Sequence, residues 1–492
     1  MKHVFKASLK FKIFAAALML VMSCGRPNSN ESHLQFYSED AYEAEIKLND
    51  YFVIPSERLS KTYDKVEKFT DLSKEDQAFL RETLDLQIKH LFGVFTYHKK
   101  PTDFANLSGA ILEKGSRNIT GLEMTKSQLT VKYHYVDKGI FYYQLFTAQE
   151  QQLRFYMPNS PLTIYKDTLP KNGPIDKVTK QVIHPCTDRK DNSELAFWYY
   201  WSPDRFNCKN SFKQHLHMTT ADFKILPSTE STFPEYQKLY QGRDKTLRID
   251  LLVGQDQYFG KKRDLGYITF TKEVEYFRNL INKNGESVFT ILRDDPHFKT
   301  LGYKTSEFSA ELNIRYIDTE TETFDKIAKK SLYYSDIFIF SGHSYEGYYF
   351  DLKRLFGNHR TSLNKRKYQV MFFNSCTTYA YYHEQFFEAK QQPSDPKGTR
   401  DLDIITNGIG APFLLNNKTP PEKVNTADTI LITNLLGLTA DGKELKTLNS
   451  WQQILGQITE NAGYDFTALT NIKGDEDNPK SLSSKIVTPL QL

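Results

Sequence analysis

The sequence predicts an α/β protein: a mainly parallel sheet flanked by helices in the C-terminal half, preceded by an α+β N-terminal domain. Three observations carry this expectation. From about residue 245 onward, short and wholly apolar runs alternate with amphipathic stretches, the pattern of strands buried on both faces and covered by helices. Upstream of about residue 240 the texture is mixed, with one long helical stretch among aromatic-rich runs. The 492 residues are 39% hydrophobic but include 35 Phe, 30 Tyr and 3 Trp, and each such ring buries a large area. The expected organisation is a leader (1–23), a tether (24–35), the α+β domain (36–240), the α/β domain (245–465) and a polar tail (466–492).

In the N-terminal domain a helix is expected from about Lys61 to Leu91. A hairpin is expected from Leu129–Val136 through the turn Asp137-Lys138-Gly139 to Ile140–Phe146. Leu153–Met157 reads as a further strand and residues 195–201 (LAFWYYW) as a core strand. His215 and His217 lack a third metal ligand nearby. In the C-terminal domain the strands read as 246–254, 288–294, 312–318, 336–343, 368–376 and 402–408. Amphipathic helices fall at 271–285, with Gly285 as its stop signal, and at 323–336. Another helix is expected from about Thr377.

The formal charge of +4 comes from 64 basic and 60 acidic residues. The four excess charges are Lys2, Lys6, Lys10 and Lys12, all within the first 23 residues, which carry no acid. The remainder is balanced, which argues against a nucleic-acid-binding chain. Residues 1–12 are basic, and Ile13–Met22 is an apolar stretch too short for a spanning helix. This is a secretory signal. Val21-Met22-Ser23-Cys24 resembles the lipobox of bacterial lipoproteins. That resemblance implies acylation of Cys24, anchoring through an N-terminal lipid, and a place in the bacterial cell envelope. Gly25 after the Cys suggests the outer membrane, facing periplasm or surface.

Export implies an oxidising compartment. Of the four cysteines, Cys24 goes to lipid, and Cys186 and Cys208 are expected to pair as a disulfide. Cys376 is left over, a thiol to examine for reactivity.

In parallel sheets, ligands bind beyond the carboxyl ends of the strands. One predicted strand ends in Ser341-Gly342-His343-Ser344 and the next in Asn374-Ser375-Cys376-Thr377. If these strands are neighbours, an imidazole stands beside a thiol at a helix N-terminus, which lowers the thiol pKa and activates a nucleophile. The pieces IFIFSGHSYEG and VMFFNSC, with His343 and Cys376 33 residues apart, resemble the caspase, legumain, gingipain and clostripain superfamily of cysteine peptidases. The resemblance covers roughly residues 245–415. It implies His343 as general acid/base, Cys376 as nucleophile, and the amides of Ser344 and Cys376 as oxyanion donors. Ser344 stands where the family usually has Gly. Asn374, Glu346 and Tyr379 are candidate supporting residues. The implied activity is peptide hydrolysis on a protein or peptide substrate, with no metal or organic cofactor. The alternative is a catalytically inactive member used for binding or envelope architecture. Gly342-His343-Ser344 also begins like an esterase elbow, but Glu346 occupies the place of its final Gly, and only His359 and His383 follow.

Overall fold

Two sheets organise the chain, one nine-stranded and one six-stranded. The computed structural model describes residues 36–97 except 64, 109–112, 115–167, 169, 175, 182, 184–187, 197–198, 200–203, 208–241, 245–357, 362–411, 419–420, 424–461 and 469–482. The leader, the tether and Cys24 lie outside the described residues.

In chain order the strands are β1 (Tyr37–Ser38), β2 (Ala41–Pro55), β3 (Gly109–Ile111), β4 (Ser116–Met124), β5 (Gln128–Tyr142), β6 (Glu150–Pro158), β7 (Leu216–Ile225), β8 (Thr246–Gly254), β9 (Thr290–Asp295), β10 (Phe298–Lys304), β11 (Ser309–Ile317), β12 (Ile337–Gly342), β13 (Gln369–Ser375), β14 (Leu402–Asn407) and β15 (Thr470–Lys473). The helices used below are α1 (Lys74–Tyr97), α2 (Leu265–Asn279), α3 (Glu322–Tyr334), α4 (Leu352–Phe356), α5 (Glu384–Lys390), α6 (Ala427–Leu435) and α7 (Trp451–Asn461).

The large sheet runs β1-β15-β14-β13-β12-β8-β11-β10-β9. Its five central strands, β14 to β11, are parallel. Numbered by chain order those five lie 2-1-3-4-5, a doubly wound arrangement whose direction of progress reverses between β8 and β12. Side chains alternate across this sheet. Ile337, Ile339, Val370 and Phe372 enter one buried layer with Phe270, Val274 and Phe277 of α2, Leu431 and Leu435 of α6, and Trp451 of α7. Phe338, Phe340 and Phe373 meet Phe324, Phe350, Tyr382 and Phe386 in ring contacts on the opposite face. The sheet is therefore dry on both sides, as continuous apolar strands require.

Strands β8, β11, β12, β13 and β14 fall where the apolar runs predict them. Other elements correct the expectations. The helix expected at 271–285 spans Leu265–Asn279. Asp264 caps its start through the Tyr267 N–H, and Gly285 instead sits at φ 78° in a following turn. Residues 290–295 are an exposed strand rather than a buried parallel one, paired antiparallel in a β9–β10 hairpin. Residues 470–473, expected in a loose tail, form β15, buried against β14.

The small sheet runs β3-β5-β2-β7-β6, with β4 also on β5, all antiparallel. The expected hairpin is absent, because β5 passes straight through Asp137, Lys138 and Gly139. Tyr135 Oη and the Lys138 N–H both donate to the Asp137 carboxylate, so this turn-forming residue is satisfied inside a strand. A Cβ on Gly139 would lie 2.5 Å from the Phe141 ring, so close packing also explains the glycine. Helix α1 starts at Lys74, not Lys61. Ser73 Oγ accepts the Asp76 N–H at 3.1 Å, which sets the N-terminus. Phe197, Trp198 and Trp201 are buried but lie in turns and an isolated bridge, not a core strand. The ring nitrogens of His217 are engaged by Asn159 and Asp50.

Cys186 and Cys208 form a disulfide, separated by 22 residues, and both are fully buried in the core of the smaller sheet. Cross-linking a loop of that length restricts the unfolded chain by about 3 kcal/mol. Cys186→Ser combined with Cys208→Ser is expected to lower the unfolding free energy by about that amount. Urea titration of residues 25–492 checks this, and an unchanged midpoint would refute it.

Candidate functional site

Strands β12 and β13 pair with Ser341 opposite Asn374 and Gly342 opposite Ser375. The next residues are His343 and Cys376, so the predicted pair leaves one sheet edge side by side. β8 flanks β12 on the other side, with Val253 opposite Ser341. Two residues past its end stands Asp256. His343 Nε2 lies 3.1 Å from the Asp256 carbonyl oxygen and 3.2 Å from its Oδ1. Both are acceptors, so Nε2 carries the proton and Nδ1 is the basic nitrogen. His343 has half its side chain exposed, whereas Asp256 is mostly covered.

Cys376 is partly buried and in no disulfide. Its Sγ accepts the Ala411 N–H at 3.4 Å, and a donor on sulfur favours the thiolate. The helix expected from Thr377 does not follow. Thr378–Ala380 make a single 3₁₀ turn, and α5 begins only at Glu384. Thr377 takes a left-handed φ of 52°. The Thr378 hydroxyl donates back to the Phe373 carbonyl at 2.8 Å and accepts the Asn407 N–H at 2.9 Å. Such side-chain bonds compete with helix formation. The segment after Cys376 therefore does not place an α-helix N-terminus at the thiol.

Ser344 is buried, and its φ is not positive. The left-handed residues of this loop are Tyr345, Glu346 and Gly347. The position where the peptidase superfamily has Gly thus makes no demand here that Ser cannot meet. Glu346 stands on the exposed rim of the loop. Asn374 lies beneath the pair, donating from Nδ2 to Asp428 Oδ1 at 2.9 Å and accepting from Asn407 Nδ2 at 3.0 Å. Tyr379 turns away from the edge, its hydroxyl donating to Glu43 Oε1 of β2 at 2.7 Å. His383 is buried with Nε2 on Thr406 Oγ1 at 2.9 Å. Burial, and then the charge of Lys473, hold its pKa well below the usual imidazole range. It is not positioned as the base of an esterase, and His359 lies outside the described residues.

The register thus sets His343 and Cys376 directly after paired residues of neighbouring strands, and Tyr379 belongs to the contact between the sheets. Asp256 was missed in the sequence. Its signal is an acid just beyond an apolar strand, informative only once that strand is known to flank β12. Farther along the same edge, a cleft of about 720 Å³ opens among Phe259, His297, Phe298, Arg315 and Tyr316. Among the described residues, no group of three or more His, Cys, Asp or Glu side chains is placed to hold a metal ion. No protein-family model, curated protein or solved structure matches this chain.

The turn after Cys376 is anchored from the other sheet. Lys473 Nζ pairs with the Glu43 carboxylate, both side chains being 4% exposed, and lies 5.3 Å from the centroid of the Tyr379 ring. Removing one partner strands a buried charge, at a cost of about 3–5 kcal/mol. Glu43→Ala is expected to destabilise the protein by that amount in urea unfolding. The partly exposed Glu45, paired with the exposed Lys47, is the control, and Glu45→Ala should cost less than about 1 kcal/mol. Equal effects would refute the assignment.

Proposed function

We propose that the chain is a cysteine peptidase of caspase-like fold, held to the bacterial cell envelope through a lipid on Cys24. The observation that carries this reading is the register of β12 on β13. It stands His343 beside Cys376 at the carboxyl edge, with Asp256 orienting the imidazole from the neighbouring strand. The 2-1-3-4-5 strand order supports it too, because His343 and Asp256 emerge where the order reverses.

In this reading His343 Nδ1 takes the thiol proton, and the Cys376 sulfur attacks the scissile carbonyl. The amides of Ser344 and Cys376, on adjacent strand ends, face the developing oxyanion. Collapse expels the amine, protonated by His343, and leaves a thioester. Water then adds, giving up its proton to His343. The acid product leaves and the thiol is restored. A substrate chain crossing from β12 over β8 to β11 advances about 10 Å at the usual strand spacing, which reaches the aromatic cleft. The lipid anchor rests on the leader sequence. Among the described residues, no helix is long and apolar enough to cross a membrane.

One observation favours the inactive alternative. The segment after the thiol is a 3₁₀ turn and not the start of an α-helix, so activation rests more heavily on His343.

Alkylation of Cys376 in residues 25–492 separates the two readings without a known substrate. An active site labels quickly near neutral pH, and His343→Ala slows this by at least tenfold. Asp256→Ala is expected to slow it about threefold to tenfold by releasing the ring. Labelling that behaves like an ordinary thiol of pKa ~8.5, indifferent to His343→Ala, would sink the peptidase. Peptide-library cleavage that disappears in Cys376→Ala would complete the positive case.

A further inference from the structure

Beneath the strand ends lies a pair of acids that the proposed chemistry does not use. Asp428, in the first turn of α6, and Glu273, in α2, are 1% and 0% exposed. Asp428 accepts from Asn374 Nδ2 at 2.9 Å, and the Ser341 hydroxyl bonds to it as well. Glu273 Oε1 accepts from Thr426 Oγ1 at 2.8 Å. The remaining oxygens, Asp428 Oδ2 and Glu273 Oε2, are buried and receive no donor when both groups are ionised, and the two carboxyls lie close enough to act on each other. Two carboxylates in contact in a dry layer cannot both ionise, so they share one proton.

Their position gives this pair a consequence for the site. Ser341 precedes His343 by two residues, and Asn374 precedes Cys376 by two. Ser341 and Asn374 are paired across the ladder and share a sheet face. Asp428 therefore holds both strand ends from below, two residues before His343 and Cys376. Asn374 carries the connection on to Asn407 of β14.

We propose that Asp428 and Glu273 are a single proton-sharing positioning unit, which keeps the ends of β12 and β13 together and makes the reactivity of Cys376 depend on a proton held beneath the site. The inference rests on Cys376 being the nucleophile. The groups facing the pair are Ser341 from β12, Asn374 from β13, and Thr426 ahead of α6. The Asp428 charge acts on Glu273, and Glu273 acts on Asp428 as a hydrogen-bonding neighbour. Burial, and then the Asp428 charge, raise Glu273 well above the ordinary carboxylate range. Burial raises Asp428 to about 6. The folded state thus holds a proton that the unfolded state releases near pH 4. The contribution to stability is present at low pH and declines as pH rises through the pair's raised range. Loss of the shared proton puts two charges side by side and pushes α2 and α6 apart under the strand ends.

The test is the alkylation rate of Cys376 from pH 5 to 9.5, corrected for the thiolate fraction, with near-UV circular dichroism as a check on folding. In the wild type the corrected rate is expected to fall at least fivefold along the alkaline limb. In Glu273→Gln the amide replaces the protonated carboxyl as donor to Asp428. The neutral-pH rate should stay within about twofold, and the alkaline fall should vanish. Asp428→Asn, which replaces the carboxylate acceptor of Asn374 by a weaker neutral amide oxygen and removes the shared proton, should label about tenfold more slowly at every pH. If Asp428→Asn does not fold, the comparison of Glu273→Gln with wild type decides alone. A His343-dependent rate with the same alkaline limb in wild type and Glu273→Gln would overturn the positioning unit while leaving the peptidase standing. A rate indifferent to His343→Ala would overturn both.

Discussion

The parallel pairing of β12 on β13 is the constraint on which the candidate site depends. Both strands lie at the centre of the large sheet, between β8 and β14, so neither end can slide without breaking a ladder on each side. A slip of one residue would also turn every side chain to the opposite face. Here the two faces differ in kind. Phe338, Phe340 and Phe373 interlock with rings from the segments around α3, α4 and α5, while Ile337, Ile339, Val370 and Phe372 pack among the residues of α2, α6 and α7. Exchanging those sets would put rings where smaller Ile and Val side chains pack beside the rings of α2 and α7, and close-packed interiors tolerate little change of volume. The register that sets His343 and Cys376 at neighbouring strand ends is thus enforced by packing three to six residues away.

Buried polar contacts tie the surrounding elements to that centre. Asp403 at the start of β14 accepts from Tyr368 Oη, Trp451 Nε1 and Asn478 Nδ2, joining α7 and the segment after β15 to the sheet. On the opposite face of the sheet, Lys473, Glu43 and Tyr379 join the small sheet to the turn after Cys376. Ile140 and Ala110 of the small sheet pack there with Phe36, Tyr379, Ile409 and Leu469. The N-terminal sheet is therefore part of the support for the Cys376 turn. Its interior is closed separately, by α1 and by the disulfide.

The central strands were legible because β8 and β11 to β14 are short apolar runs bounded by polar or glycine-containing segments, and such runs have few other places to go. The His343–Cys376 pair was legible for the same reason, since both follow directly on such runs. Elements defined by pairing rather than by composition were not. β9 is exposed and belongs to a hairpin, so nothing in its apolar content separates it from a buried strand. β15 holds Asn471 and Lys473, which look solvated until Thr406 and Glu43 are seen to satisfy them. Asp137-Lys138-Gly139 reads as a turn because these residues favour turns locally, and tertiary bonding overrides that preference. Asp256, Glu273 and Asp428 depend on which strands and helices are neighbours, and the spacing along the chain does not encode this.

Backbone strain marks the same edge independently of the side chains. Among the described residues five non-glycine positions have positive φ, and three of them, Tyr345, Glu346 and Thr377, closely follow His343 or Cys376. The left-handed region costs an L-residue about 1–2 kcal/mol, and a β-branched residue such as Thr377 tolerates it poorly. These conformations are held from outside. The Thr377 N–H donates to the Ile409 carbonyl, and the Tyr381 side chain packs so close to Gly347 that a Cβ there would lie 2.7 Å from it. Two strands that end beside each other and simply ran on would carry their chains away in parallel. The sharp left-handed turns instead peel each chain off the edge at once, leaving His343 and Cys376 at the rim of the sheet. Strain of this kind persists where the surrounding structure over-determines it, and here the packing that enforces it is the same packing that sets the register of β12 on β13.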